Sequence, residues 1–66
     1  MSPTMVYNEF KALFPDFKIV SYSRVKTDDN AIIMTDEWGQ QYHFKSLGEN
    51  MWIFETIKMF LKRERS

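Results

Sequence analysis

His43 is the only histidine in the chain, and no cysteine accompanies it. Nucleophilic catalysis needs an imidazole within reach of a nucleophile and an orienting carboxylate, and a metal site needs several converging ligands. The strand register set by an Asp36–Gln40 hairpin places His43 on the outer sheet face between Gln41 and Lys45, with neither arrangement at hand. Glu9 and Glu55 read as helix-surface carboxylates without a partner. Gly39 and Gly48 serve one turn and one helix approach, so no glycine-rich loop cradles a phosphate. The sequence therefore assigns no catalytic residue, no metal ligand and no cofactor, and the expectation is a protein that is not an enzyme.

Residues suited to recognition are more plentiful. Trp38 lies between Glu37 and Gly39 at an expected hairpin tip, and one indole can dominate a protein interface. Read as a helix at about 100° per residue, the segment from Asn50 to Arg65 puts Ile53, Phe54, Ile57, Phe60 and Leu61 on one core-facing stripe. Trp52 and Met59 then point the opposite way, beside Thr56 and Arg63. Such a ridge asks for a protein partner or a second copy of the chain, with methionine adapting around a rigid aromatic. The partner-binding candidates are Trp52, Met59, Trp38 and Arg63. An alternative set, Tyr22, Arg24, His43 and Lys45, shares an open sheet face and, with the basic C-terminal helix, suits base stacking and phosphate contact.

Composition narrows the classes further. Sixty-six residues make one domain, 1–66, near the lower limit for folding without disulfides or metals. Aromatic residues make up 17% of the chain and hydrophobic ones 44%, so packing has to supply the stability. Nine basic and nine acidic side chains cancel, whereas nucleic-acid binders are usually basic, which puts that function second to protein binding. No apolar run of about 18 residues spans a membrane, and the N-terminus lacks the pattern of a signal peptide, so a cytoplasmic location is expected.

These candidates need a scaffold. Thr4 suits a helix N-cap, with Val6, Phe10, Leu13 and Phe14 at helical spacing, and Pro15 ends the helix near Leu13. Phe17 to Lys26, Ala31 to Thr35 and Gln40 to Lys45 read as three strands. Asp28-Asp29 is expected to form a two-residue turn pairing Val25 with Ile32, which leaves Val20, Tyr22 and Arg24 on the open face. Asp36 to Gly39 suits a type I turn closed by a glycine bulge; pairing Asp36 with Gln40 sets Met34 opposite Tyr42 and Ile32 opposite Phe44. Ser46 or Asn50 caps the second helix. The expected fold is α+β: helix, three-stranded antiparallel sheet, helix, with both helices on one sheet face.

That element order resembles the double-stranded RNA-binding domain, without its Gly-Pro-x-His loop or its lysine-rich second helix, so the resemblance implies topology alone. The stretch Asn30-Ala31-Ile32-Ile33, the acidic-glycine turn from Asp36 to Gly39, and Tyr42-x-Phe44 also resemble small phage-encoded inhibitors of CRISPR nucleases. That resemblance implies an accessory or inhibitor protein of a phage or mobile element, acting by covering a partner's working surface. Those inhibitors are strongly acidic, whereas this chain is neutral overall.

Overall fold

Ser2 opens the first helix. In the computed structural model, which describes residues 1–65, its hydroxyl accepts from the Met5 backbone N–H at 3.2 Å. Pro3 follows at the first helical position, where its missing N–H and fixed φ cost nothing. The cap is thus Ser2 rather than the expected Thr4. Helix α1 spans Pro3–Leu13, and the chain continues through β1 (Ile19–Val25), β2 (Asp28–Asp36), β3 (Gln41–Gly48), β4 (Met51–Thr56) and α2 (Ile57–Glu64). The strands form one antiparallel sheet in the order β1-β2-β3-β4.

The class is α+β, as expected, but the sheet has four strands rather than three. Met51 to Thr56 forms a strand, not the first turns of a helix. Glu49 and Asn50 both have positive φ, 48° and 65°, and a two-residue hairpin of the type I′ kind needs that conformation at both central positions. The alternation Trp52, Phe54, Thr56 against Ile53, Glu55 has period two, which suits a strand. The helix begins only at Ile57, where the Thr56 hydroxyl accepts from the Met59 backbone N–H at 3.3 Å.

Because paired residues share a face, Ile32, Phe44 and Phe54 line up across three strands on the α1 side. Val6, Phe10, Ile32, Met34 and Phe44 form the buried core, with Tyr7, Phe14, Phe17, Ile19, Tyr42 and Phe54 packed around it. Phe10 is its hub: its ring lies 5.1–5.8 Å from those of Phe14, Phe17, Phe44 and Phe54.

The second helix covers the other face, contrary to the expectation that both helices share one. His43 and Glu55 pair with each other and point away from the α1 core, and the Phe60 ring stacks on His43 at 4.0 Å. No residue of α2 is fully buried, so these contacts and those of Arg63 hold it to the sheet. Among the described residues, no helix is long and apolar enough to cross a membrane.

The β2–β3 register is the expected one, with Met34 opposite Tyr42 and Ile32 opposite Phe44. The β1–β2 register is not. The turn falls at Lys26-Thr27, Val25 pairs with Asp28, and Arg24, not Val25, lies opposite Ile32. Asp28 is drawn into the strand rather than the turn. Its carboxylate accepts from the Asn30 backbone N–H at 3.0 Å and pairs with Lys45 at 2.7 Å, and the three residues after it bulge. This moves Tyr22 and Arg24 to the α1 face. A second irregularity at Val20 restores the phase, so Ile19 reaches the core as expected.

Candidate functional site

The Asp36–Gln40 turn is built around one carboxylate. Asp36 is buried at 5% exposure. Its Oδ1 accepts from the Trp38 and Gln40 backbone N–H groups, each at 2.9 Å, and its Oδ2 accepts from the Tyr42 hydroxyl at 3.0 Å. The backbone closes the same loop: Gly39 N–H donates to the Asp36 carbonyl, and Asp36 N–H to that of Gln40. Gly39 takes φ +81°, the left-handed conformation of the expected bulge. Burial and the hydrogen bond to Asp36 raise the Tyr42 phenol above its ordinary pKa of 10.0, so it stays protonated and donating. Asp36→Asn keeps one acceptor but loses the charge. We expect it to cost about 1 kcal/mol, read as a lower urea midpoint; an unchanged midpoint would show that the turn does not depend on the carboxylate.

This scaffold presents Trp38 to solvent at 80% exposure. Beside the indole lies a depression of about 520 Å³ lined by Asp16, Phe17, Lys18, Asp36, Glu37, Trp38, Gln40 and Tyr42. The connection between α1 and β1, residues 14–18, brings Asp16 and Lys18 against the hairpin, a juxtaposition that no spacing in the sequence announces.

The second cluster lies under α2. Glu55 Oε2 bonds His43 Nδ1 at 2.7 Å, and Arg63 donates to both Glu55 oxygens at 2.6 and 2.7 Å. Burial lowers the imidazole pKa below its ordinary 6.5, partly offset by Glu55, so the neutral ring donates from Nδ1. Burial opposes ionisation of Glu55, but the hydrogen bonds from Arg63 and His43 outweigh it and hold the carboxyl below its ordinary 4.5. The sequence reading missed this triad because it put Glu55 on a helix surface. With β4 recognised as a strand, the hairpin register would have set Glu55 opposite His43.

The Trp52–Met59 ridge does not exist as one surface. Trp52 sits on β4 with its ring edge-to-face against Phe14 at 5.1 Å, on the α1 side. Met59 lies on α2, over the other face, at 56% exposure. Arg63, half exposed, bonds Glu55 on the α2 side of the sheet, whereas Trp52 packs on the α1 side. The alternative set is divided as well. Tyr22 stacks on Tyr7 at 4.3 Å on the α1 face, with Arg24 on the same side. His43 and Lys45 are on the opposite face, where His43 is only 2% exposed. Glu9 is half-buried on α1, with one carboxylate oxygen shielded and without a hydrogen-bond partner. Among the described residues, no three His, Cys, Asp or Glu side chains are grouped to hold a metal ion.

Against this geometry, the comparisons add no relative: no family model, curated protein or solved structure matches the chain.

Proposed function

We propose that this chain is a non-enzymatic protein-binding module that docks through the Trp38 hairpin and covers part of its partner's surface. The observation that carries this reading is an 80%-exposed indole on a turn fixed by three hydrogen bonds to one buried carboxylate. A large aromatic side chain on a fixed backbone has only its own two torsions to order when a partner buries it, which keeps the entropic cost of binding low. The His43 cluster supports the non-enzymatic part: the imidazole is buried under Phe60, and its carboxylate partner is already engaged by Arg63. Occlusion is also the mode that the resemblance to phage-encoded inhibitors implies. Here an aromatic tip stands in for their acidic surface, since the formal net charge is zero.

A random peptide library displayed on phage and panned against the wild-type chain, with Trp38→Ala as counter-target, tests the proposal. We expect clones that bind wild type at least about tenfold more tightly than Trp38→Ala, with the unfolding free energy of the variant, from urea titration, within about 0.5 kcal/mol of wild type. Recovery of only clones that bind both chains alike would overturn it.

A further inference from the structure

We infer that the depression beside Trp38 receives a cationic side chain, an arginine in particular, from a basic segment of the partner protein; this rests on the protein-binding reading above. The lining residues carry three carboxylates, Asp16, Asp36 and Glu37, against one cation, Lys18. The formal charge of the lining is thus −2, within a chain whose net charge is zero. The imbalance is local and coincides with the most exposed large hydrophobic residue of the protein.

The three acids have different roles. Asp36 is buried, and both its oxygens are engaged in holding the turn. Asp16 and Glu37 are exposed and are the carboxylates that a ligand meets. An indole face attracts a cation through its quadrupole, more strongly once both are desolvated. Guanidinium fits this combination better than ammonium. It is planar and weakly hydrated, so it stacks on the ring, while its forked N–H donors meet a carboxylate in its own plane. The volume, about 520 Å³, lies within the range of roughly 300–1,000 Å³ that ligand clefts occupy. Phe17 supplies an apolar wall for the methylene stem. Mutual attraction with a basic segment also favours encounter and orients it before contact.

The test uses the full chain carrying Trp52→Phe, which leaves Trp38 as the only indole and keeps an aromatic ring against Phe14. The probes are an acetylated and amidated Gly-Arg-Gly-Arg-Gly peptide and its citrulline counterpart, which keeps the planar shape but is neutral and carries a carbonyl oxygen in place of one NH2 donor group. We expect the arginine peptide to shift Trp38 emission saturably, the citrulline peptide to bind at least about tenfold more weakly, and Asp16→Asn with Glu37→Gln to remove the difference. Calorimetry on the wild-type chain makes the same comparison without the Trp52 substitution. Equal responses to the two peptides, or none to either, would overturn the inference. Library clones that require Trp38 yet are neutral or acidic would also overturn it, while leaving the protein-binding reading standing.

Discussion

Replacing Phe10 by alanine is expected to unfold this protein. Phe10 is completely buried and is the one ring that touches Phe14, Phe17, Phe44 and Phe54, so it ties α1, the connection after it, β3 and β4 into a single core. Truncating a buried phenylalanine costs about 3–5 kcal/mol through lost transfer energy and the cavity left behind. A chain of 66 residues has a total stability of roughly 3–10 kcal/mol. The loss is therefore comparable to the whole, and with no cysteine in the chain no disulfide compensates. Near-ultraviolet circular dichroism and urea titration read the outcome. A variant keeping a cooperative transition within about 1 kcal/mol of wild type would show that the core does not converge on this ring. Phe10→Leu is expected to lose less, because much of the volume is retained.

Removing the Glu55 carboxylate comes next in size. Its side chain is 12% exposed and joins His43, 3% exposed, to Arg63. Glu55→Ala leaves the His43 N–H buried without an acceptor and releases the contact that holds the end of α2. We expect a loss of about 2–3 kcal/mol, below the figure for a fully buried pair because solvent reaches Arg63. Helix α2 is expected to separate from the sheet before global unfolding, seen as rapid amide exchange confined to 57–64.

The same cluster makes stability depend on pH. The folded imidazole has a pKa below its ordinary 6.5, so the unfolded chain takes up its proton first. Its contribution is complete above 6.5 and diminishes as pH falls toward the lowered folded value. The Glu55 carboxyl is likewise held below its ordinary 4.5, and its contribution is lost at still lower pH. Arg63 opposes protonation of His43, while Glu55 and Asp28 favour it, with burial the largest effect. Lowering the pH from about 7.5 to about 5.5 should therefore reduce the urea midpoint of wild type, and His43→Asn should flatten that window. A variant that retained the full wild-type slope would remove His43 as its source.

The fourth strand and the β1–β2 register both differ from expectation because a short-range signal fits more than one geometry. From Asn50 onward, apolar residues occur on both sides of a helical wheel, and that two-faced pattern gave rise to the Trp52–Met59 ridge. A strand packed on both faces has the same residue types with period two: Trp52 and Phe54 toward α1, Ile53 and Glu55 toward α2. The hydrophobic pattern of six residues fits either geometry. The decisive signal was the run Gly48-Glu49-Asn50, in which left-handed backbone makes a hairpin. Asp28-Asp29-Asn30 misled in the opposite direction. Turn-forming side chains made a bulge inside a strand, and one register step carried Tyr22 and Arg24 to the other face.

Other features were legible because local chemistry determines them. The first helix stops at Leu13 because Pro15 disfavours helical backbone at Phe14. The Asp36–Gln40 hairpin and its register follow from a glycine at the left-handed position and from four apolar residues that agree on one face. Trp38 at the tip comes with them. The sequence also determined the neutral charge and the lack of disulfide chemistry. Only the tertiary structure decided that His43 lies buried against Phe60 and Glu55, that Trp52 and Met59 lie on opposite sides, and that Asp16 and Lys18 meet the Trp38 hairpin. Those contacts join segments distant in the chain, and their geometry depends on strand count and register, which short-range patterns leave degenerate and the packing of a shared core selects.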